Sequence, residues 1–505
     1  MSSQTPPTPP TTPTTPPAAP RIPHMSPEEF RAWGKQAVDF IADYMQRLDS
    51  LPVLSGVKPG DIAAALPEHP PADPGVSSHD FFADLERIIL PGLTHWQSPN
   101  FFAYFPCNSS APGIIGELLS AGLNVNGMLW ATSPAATELE TRMLDWMAEM
   151  LDLPAHFRST SATGGGCIQG TASESTLVAL LAARHRARLA SPTAHLTLYT
   201  STQAHSSIIK AAMIAGLATN PDDRTHIRLI GTDANHAMRP DLLRTAITED
   251  LHAGRFPFYT CATVGTTSST AIDPIPEIAD ILHAAAPGCW LHIDAAFAGA
   301  ACICPEHRWM LRGVEHADSV MFNPHKWLLT NFDCNCFWTR DRSAVTAALS
   351  ITPEYLRNQA TQTGQVIDYR DWQIPLGRRF RALKLWLVIR HYGVEGLRAY
   401  IREHIRLAAL FEQWVREDER FELAAPRTCS LVCFRLRGQG PGADEANRKL
   451  LERINASGRA YLSHTTLRGP DGNDRFVLRM AIGASATQER HTRAAWELIR
   501  SLALH

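Results

Sequence analysis

In "SPEEFRAWGKQAVDFIADYMQRL" the apolar residues Phe30, Trp33, Ala37, Phe40, Ile41 and Tyr44 recur at helical spacing. Ser26 and Glu29 form a capping-box pattern at its start, and Pro27 suits the first helical position. The aromatic face of this helix is wide and needs a cover, for which a partner subunit is a candidate. Pro-rich connections follow, then a helix near residues 79–90. From about residue 106 to 385 the pattern changes. Helical stretches such as "TASESTLVALLAARHRARLA" and "IDPIPEIADILHAAA" alternate with short β-rich runs: "HLTLYTS", "HIRLIGT", "FYTCATVG", "WLHIDAAF" and "DSVMFNP". This alternation predicts an α/β domain with a largely parallel sheet covered on both faces. Ligands of such sheets sit outside the carboxyl ends of the strands, which here carry Thr263, Asp294 and the stretch from Asn323 to Lys326. A long helix, "GRRFRALKLWLVIRHYG", leads out. The remainder predicts helices at 393–418 and 487–503 and strands near "CSLVCFRLRG" and "RFVLRMAIG", a smaller α+β domain. The expected organisation is a Pro/Thr-rich tail (1–24), an N-terminal helical dimerisation segment (25–105), a large domain (106–385) and a small C-terminal domain (386–505).

Composition narrows the function classes. Of 505 residues 45% are hydrophobic, enough for more than one core. Lys and Arg total 47 against 50 Asp and Glu, with no long basic run, so there is no nucleic-acid footprint. No stretch approaches the roughly 20 apolar residues of a membrane span. The first 24 residues have no signal-peptide core and too much Pro and Thr to pack, which predicts disorder. The ten cysteines form no disulfide framework. The pairs Cys302/Cys304 and Cys334/Cys336 lack zinc-site spacing and read as small core residues on strands, so no metal is expected. A reduced, cytoplasmic protein follows.

The chemistry concentrates at strand ends. "LHIDAAFAG" places Asp294 at the close of a buried run, where an ionised carboxylate needs a cation or a strong donor. "MFNPHKWLLT" puts Lys326 between a Pro–His pair and Trp327, in an apolar frame. Such a lysine is either a boundary residue or one whose amine does chemistry. "TGGGCIQGTASE" frees the backbone at Gly164–Gly166 and Gly170 and then opens a helix at Thr171, Ala172 and Ser173, an anion cup. With no Walker lysine and no G-x-G-x-x-G after a strand, a small phosphate fits better than a nucleotide. "STQAHSSIIKAA" adds His205 at another strand-to-helix junction. A phosphate cup, a buried carboxylate, a lysine and an imidazole together meet the needs of pyridoxal phosphate.

Taken in order, "THWQSPNFFAYFP", "SPAATELE", "GTASE", "QAHSS", "HIDAAFAG", "NPHKW" and "DYRDWQIPLGRRFRALKLW" resemble the group II pyridoxal-phosphate decarboxylases, in the branch of the aromatic-L-amino-acid decarboxylases. The resemblance covers about residues 25–500. It implies a fold-type-I homodimer with sites at the subunit interface. Lys326 would bond the cofactor aldehyde, Asp294 would partner the pyridinium nitrogen, and His205 and Ala296 would face the two sides of the ring. Ala172, Ser173, Asn323 and His325 would serve the phosphate, and Thr263 the ring hydroxyl side. Trp96, Tyr104, Phe105, Pro106 and Cys107 would line the substrate pocket, with Asn126 and Met128 supplied by the neighbouring chain.

The reaction implied is decarboxylation of an aromatic L-amino acid (tryptophan, 5-hydroxytryptophan, dopa, phenylalanine or tyrosine) to the arylalkylamine and carbon dioxide. Tyr355, on a polar lid-like loop, would protonate Cα. In related aldehyde synthases phenylalanine replaces that tyrosine, or asparagine the stacking histidine; this chain has Tyr355 and His205, which favours the amine. Gly377 leaves room for a bulky ring where relatives often carry serine. Cys107 and Met128 depart from the threonine and phenylalanine common in relatives, and Met adapts to varied shapes. An aldehyde synthase, a decarboxylase of another amino acid, a transaminase and a non-catalytic cofactor-binding protein are the alternatives.

Overall fold

The computed structural model describes residues 24–71, 77–351, 366–438 and 441–503. The chain divides into two compact units. The first comprises the residues up to Arg47 together with Pro59–Pro91. Its helix Pro27–Arg47 begins with the expected capping box: Ser26 N donates to Glu29 Oε2 at 2.8 Å and Glu29 N to Ser26 Oγ at 3.2 Å. The aromatic face meets Phe81 and Phe82 within the same unit, with Trp33 5.8 Å from Phe81 and Phe40 5.8 Å from Phe82. No residue of the helix is fully buried there. The helix expected near 79–90 is Ser78–Asp84, continued by a wider turn over Leu85–Ile89.

The second unit holds two sheets. Its strands are β1 (Phe101–Phe102), β2 (Gly165–Gln169), β3 (His195–Ser201), β4 (Ile227–Ile230), β5 (Arg255–Thr263), β6 (Trp290–Asp294), β7 (Ser319–Phe322), β8 (Asn335–Thr339), β9 (Phe421–Leu423), β10 (Leu431–Leu436), β11 (Tyr461–Arg468) and β12 (Asp474–Ala481). The larger sheet has the order β2-β8-β7-β6-β5-β3-β4. Strands β3 to β7 pair in parallel, as the alternating pattern predicted, and β8 and β2 close one edge antiparallel. Side chains alternate between two cores. Cys261, Met321 and Phe337 join one with Val178, Ala182 and Ile208, while Ala262, Ile293, Val320 and Trp338 join the other with Ile278 and Leu282.

Residues Gly165 and Gly166 are strand, where a glycine loop was expected. The reason is close packing: a Cβ on Gly166 would stand 2.7 Å from Trp338 Cδ1 and 2.9 Å from Phe337 O. Cys302 lies in a short helical turn, Ala298–Ile303, and not on a strand. Small buried residues let that turn press on β7, where Gly299 leaves no room for a Cβ against Phe322. Nine of the ten cysteines are buried and all are unpaired.

The smaller sheet has the order β1-β11-β12-β10-β9 and a core of its own, with Phe411, Val432, Phe434, Leu478 and Trp496. Phe101–Phe102, read within the N-terminal segment, forms its edge by pairing in parallel with β11. Helix Arg381–Glu417 runs through residue 385 and breaks at Gly393 (φ 64°, ψ 170°), where the sequence suggested two helices. The last helix is Glu489–Leu502.

Candidate active site

Parallel pairing puts the carboxyl ends of β5, β6 and β7 side by side. Thr263 is the register partner of Asp294, and Asp294 of Met321, so the chain past β7 leaves next to the carboxylate. Asp294 is buried; its Oδ1 accepts from Ala296 N at 3.0 Å, and no cation pairs with it among the described residues. Ala296 O accepts from Asn323 N at 3.1 Å, which ties the two strand ends together. Thr263 is clasped by Asp273: its N donates to Asp273 Oδ2 at 2.8 Å and its O accepts from Asp273 N at 3.0 Å. Burial raises the Asp273 carboxyl to about 6 against the pull of these backbone donors. The Thr263 hydroxyl is buried and has no hydrogen-bond partner among the described residues.

Lys326 lies in the short helix Pro324–Trp327 that follows. Its Nζ stands 5.7 Å from the centre of the Phe105 ring. Burial lowers its pKa; the Asp294 carboxylate acts in the opposite sense, and the Arg479 guanidinium adds to the fall. His205 is exposed by area, yet enough protein surrounds the ring to lower its pKa, with the Asp294 charge opposing. Its Nδ1 accepts from Ser207 N at 3.1 Å, so the neutral ring carries its proton on Nε2. His325 is buried and held down to about 3 by desolvation and by Lys326; Nδ1 accepts from Cys334 N at 2.9 Å. Trp327 carries no exposed atom of consequence. It stacks on Phe297, which stacks on Phe105 at 3.7 Å, so Lys326 stands beside a column of rings.

Helix Ala172–Ala190 supplies the anion cup. Thr171 precedes it in extended conformation without a side-chain cap; Glu174 N and Ser175 N donate to Thr171 O, which leaves the Ala172 and Ser173 N–H groups to a ligand. Ala172 is half-buried and Ser173 exposed. An unpaired Thr263 hydroxyl, an uncapped helix end, a carboxylate without a cation and a lysine of reduced basicity are the donor set that pyridoxal phosphate fits.

The pocket residues fall in two groups. Trp96 and Tyr104 stack at 5.7 Å, and Tyr104 takes a left-handed backbone (φ 51°) held by Tyr104 N donating to Ser463 Oγ at 3.0 Å. Phe105 and Pro106 are buried, and Cys107 O accepts from Gln97 Nε2 at 2.6 Å. Asn126, Met128 and Gly377 form the other group. Asn126 Oδ1 accepts from Arg378 N at 3.0 Å, Arg370 N donates to Met128 O at 3.1 Å, and a Cβ on Gly377 would lie 3.8 Å from Asn126 Nδ2. No hydrogen bond or ring contact joins this second group to Lys326 among the described residues. Tyr355 lies outside the described residues.

Sequence reasoning missed Arg479, Asp273 and Asn335. Arg479 is buried with its guanidinium 5.2 Å from the Phe105 ring centre; Nη1 donates to Ser463 Oγ at 2.7 Å and Nη2 to Thr267 O at 2.7 Å. A charged residue within the apolar run that follows Arg475 in "RFVLRMAIG" was the available signal. Asp273 and Asn335 carried none, because their roles arise from strands brought together by folding.

The model of the pyridoxal-dependent decarboxylase conserved domain matches residues 59–437. Tryptophan decarboxylase 2 of Oryza sativa subsp. japonica is 52% identical over 485 residues, covering 94% of this chain and 95% of that protein. A phenylacetaldehyde synthase of Arabidopsis thaliana is 50% identical over 484 residues, covering 94% and 96%. The crystal structure of Oryza sativa TDC with PLP and tryptamine superposes with a TM-score of 0.92 at 44% identity, covering 96% of this chain and 99% of that one. With the fold-type-I sheet and the donor set at its strand ends, these findings place the chain in the pyridoxal-dependent decarboxylase family, in the branch of the aromatic-amino-acid decarboxylases, as an amino-acid decarboxylase that uses pyridoxal phosphate.

Proposed function

We propose that this enzyme decarboxylates aromatic L-amino acids to arylalkylamines, with tryptophan, 5-hydroxytryptophan, dopa, phenylalanine and tyrosine as the substrate class. The observation that carries the residue roles is the juxtaposition of Asp294 with Thr263 and with the Asn323–Lys326 stretch at adjoining strand ends. Bound pyridoxal phosphate supplies a sink for the electron pair left on Cα when carbon dioxide departs. Asp294 provides the negative charge that keeps the ring nitrogen protonated. Lys326, its basicity lowered by burial against the pull of Asp294, would be the amine that bonds the cofactor aldehyde. His205 and Ala296 would face the ring, and Thr263, whose hydroxyl is unpaired among the described residues, would donate on its hydroxyl side. Ala172, Ser173 and Asn323 hold the phosphate, and His325, neutral at physiological pH, fixes the backbone at Cys334 nearby. Tyr355 delivers the proton to Cα, which favours the amine over the aldehyde.

Trp96, Tyr104, Phe105, Pro106 and Cys107 form an aromatic and apolar wall suited to a ring. Asn126 and Met128 complete the pocket of a second copy in a homodimer, and Gly377 leaves room for a bulky ring. Helix Ala111–Leu123, which leads to Asn126, exposes Ile115, Leu118, Leu119 and Leu123, each about half open or more, and this supports such an interface. The unpaired cysteines support a reduced, cytoplasmic setting.

The test is product analysis over a panel of amino acids, with carbon dioxide and amine measured together. Stoichiometric amine from an aromatic substrate is expected. Aldehyde, ammonia and peroxide as main products would instead favour the synthase reading that the Arabidopsis relative keeps open. Lys326→Ala should abolish the visible absorption of the lysine-bound cofactor.

A further inference from the structure

Four buried polar side chains beneath the anion cup are hydrogen-bonded in series. Gln169 ends β2, Ser175 sits in the first turn of helix Ala172–Ala190, Asn335 opens β8, and Asn323 follows β7. Gln169, Ser175 and Asn335 are fully buried and Asn323 is 2% exposed. Gln169 and Asn335 are direct partners in the β2–β8 ladder. The Ser175 hydroxyl meets Gln169 Oε1 at 2.6 Å and also Asn335 Oδ1. Asn335 Nδ2 donates to Phe322 O at 3.1 Å and to Asn323 Oδ1 at 2.7 Å.

The direction of this series is fixed by two backbone carbonyls. Gln169 Nε2 donates to Trp372 O at 2.8 Å, so its amide cannot be reversed without setting oxygen against oxygen. The same holds for Asn335, whose NH2 must face Phe322 O. Ser175 therefore shares a single proton between two acceptors, and its part is to hold the Asn335 oxygen in place. Asn335 in turn presents only a donor to Asn323. Asn323 answers with Oδ1, which leaves its own NH2 turned away, without an acceptor among the described residues. An anion beside Asn323 meets a donor; with the amide reversed it would meet an oxygen.

We propose that Asn335 is a positioning residue that sets the amide of Asn323 so that its NH2 faces the cofactor phosphate. This rests on the reading of Asn323 as a phosphate contact. Asn335 touches neither cofactor nor substrate; it acts through Asn323, and Ser175 steadies it.

The test measures binding of pyridoxal phosphate and of phosphate-free pyridoxal to the apoprotein in the wild type, Asn335→Asp, Asn335→Ala, Asn323→Ala and the Asn323→Ala/Asn335→Ala double variant. Asn335→Asp lacks the NH2 that serves both Phe322 O and Asn323 Oδ1 and is expected to weaken pyridoxal phosphate about tenfold while changing pyridoxal by less than about twofold. Asn335→Ala puts no charge in the core and is expected to lose about threefold for pyridoxal phosphate, with melting of the apoprotein checking its fold. In the Asn323→Ala background the second substitution should have no further effect. An equal loss for both ligands, or an undiminished loss in that background, overturns the proposal. If Asn323→Ala itself leaves both affinities unchanged, Asn323 is not a phosphate contact and the proposal falls with it.

Discussion

The indole Nε1 of Trp327 donates to Nδ1 of His404 at 3.0 Å, and the two rings lie nearly parallel. The residue after Lys326 is thereby fastened to helix Arg381–Glu417. The bond requires an unprotonated Nδ1, and burial lowers His404 to about 4. Between its ordinary pKa near 6.5 and about 4, the unfolded chain binds a proton that the folded protein refuses. Stability is therefore present in full above that window and falls as pH drops through it. His292, also held at about 4, and His325, at about 3, act in the same direction. The melting temperature should fall between pH 6.5 and pH 4, and His404→Phe should flatten part of the slope. At neutral pH that variant should cost about 1–3 kcal/mol, because the indole N–H loses its acceptor.

Thr263→Val removes a buried hydroxyl that has no partner. The apoprotein should melt at the same temperature or higher, since a methyl group is better suited than an unpaired hydroxyl to a buried site. Affinity for pyridoxal phosphate should fall by about fivefold to tenfold if the hydroxyl serves the cofactor. Paired melting and titration experiments check both signs.

Tyr355→Phe should reduce amine formation by about 10²–10⁴-fold, the range for loss of a positioned general acid. Cofactor affinity should not change. Amine and aldehyde quantified from the same reaction separate a lost proton donor from a misfolded loop.

Glu140 Oε1 accepts from Ile168 N at 2.7 Å and from the buried guanidinium of Arg378, whose backbone N donates to Asn126. Glu140→Gln leaves that guanidinium without its counter-charge and should cost about 3–5 kcal/mol. Chemical denaturation measures it. Arg378 links β2 to the segment bearing Asn126 and Met128, so the proposed homodimer should dissociate more readily at low protein concentration in this variant.

Strands β3 to β7 were legible because each is a short apolar run closed by polar residues, with a helical pattern on either side. Strand β2 was not, since Gly165 and Gly166 look like a loop until Trp338 packs over them. Strand β11 was missed because "YLSHTTLR" is half polar on an exposed face. Lys326 and Asp294 stood out as charged groups in apolar frames, and His205 as an imidazole at a strand-to-helix junction. Asn335 did not: its importance comes from a carbonyl on the neighbouring strand β7 that dictates which way its amide must point, a pairing that exists only once β7 and β8 are side by side. The break at Gly393 was legible as the end of one helical pattern and the start of another, and the non-helical backbone of that glycine separates the two.

Thr263 and Asp294 face each other across a hydrogen-bonded ladder, and this makes the site quantal. A strand can shift only by whole residues, and a shift by one turns every side chain to the opposite face of the sheet. Ala295 or Ile293 would then occupy the place of the carboxylate. Damage to the ladder cannot loosen this site by degrees: each molecule holds the carboxylate in register or lacks it. Partial inactivation of a strand variant should therefore reflect a mixture of fully competent and fully dead molecules, not a uniform population of slow ones.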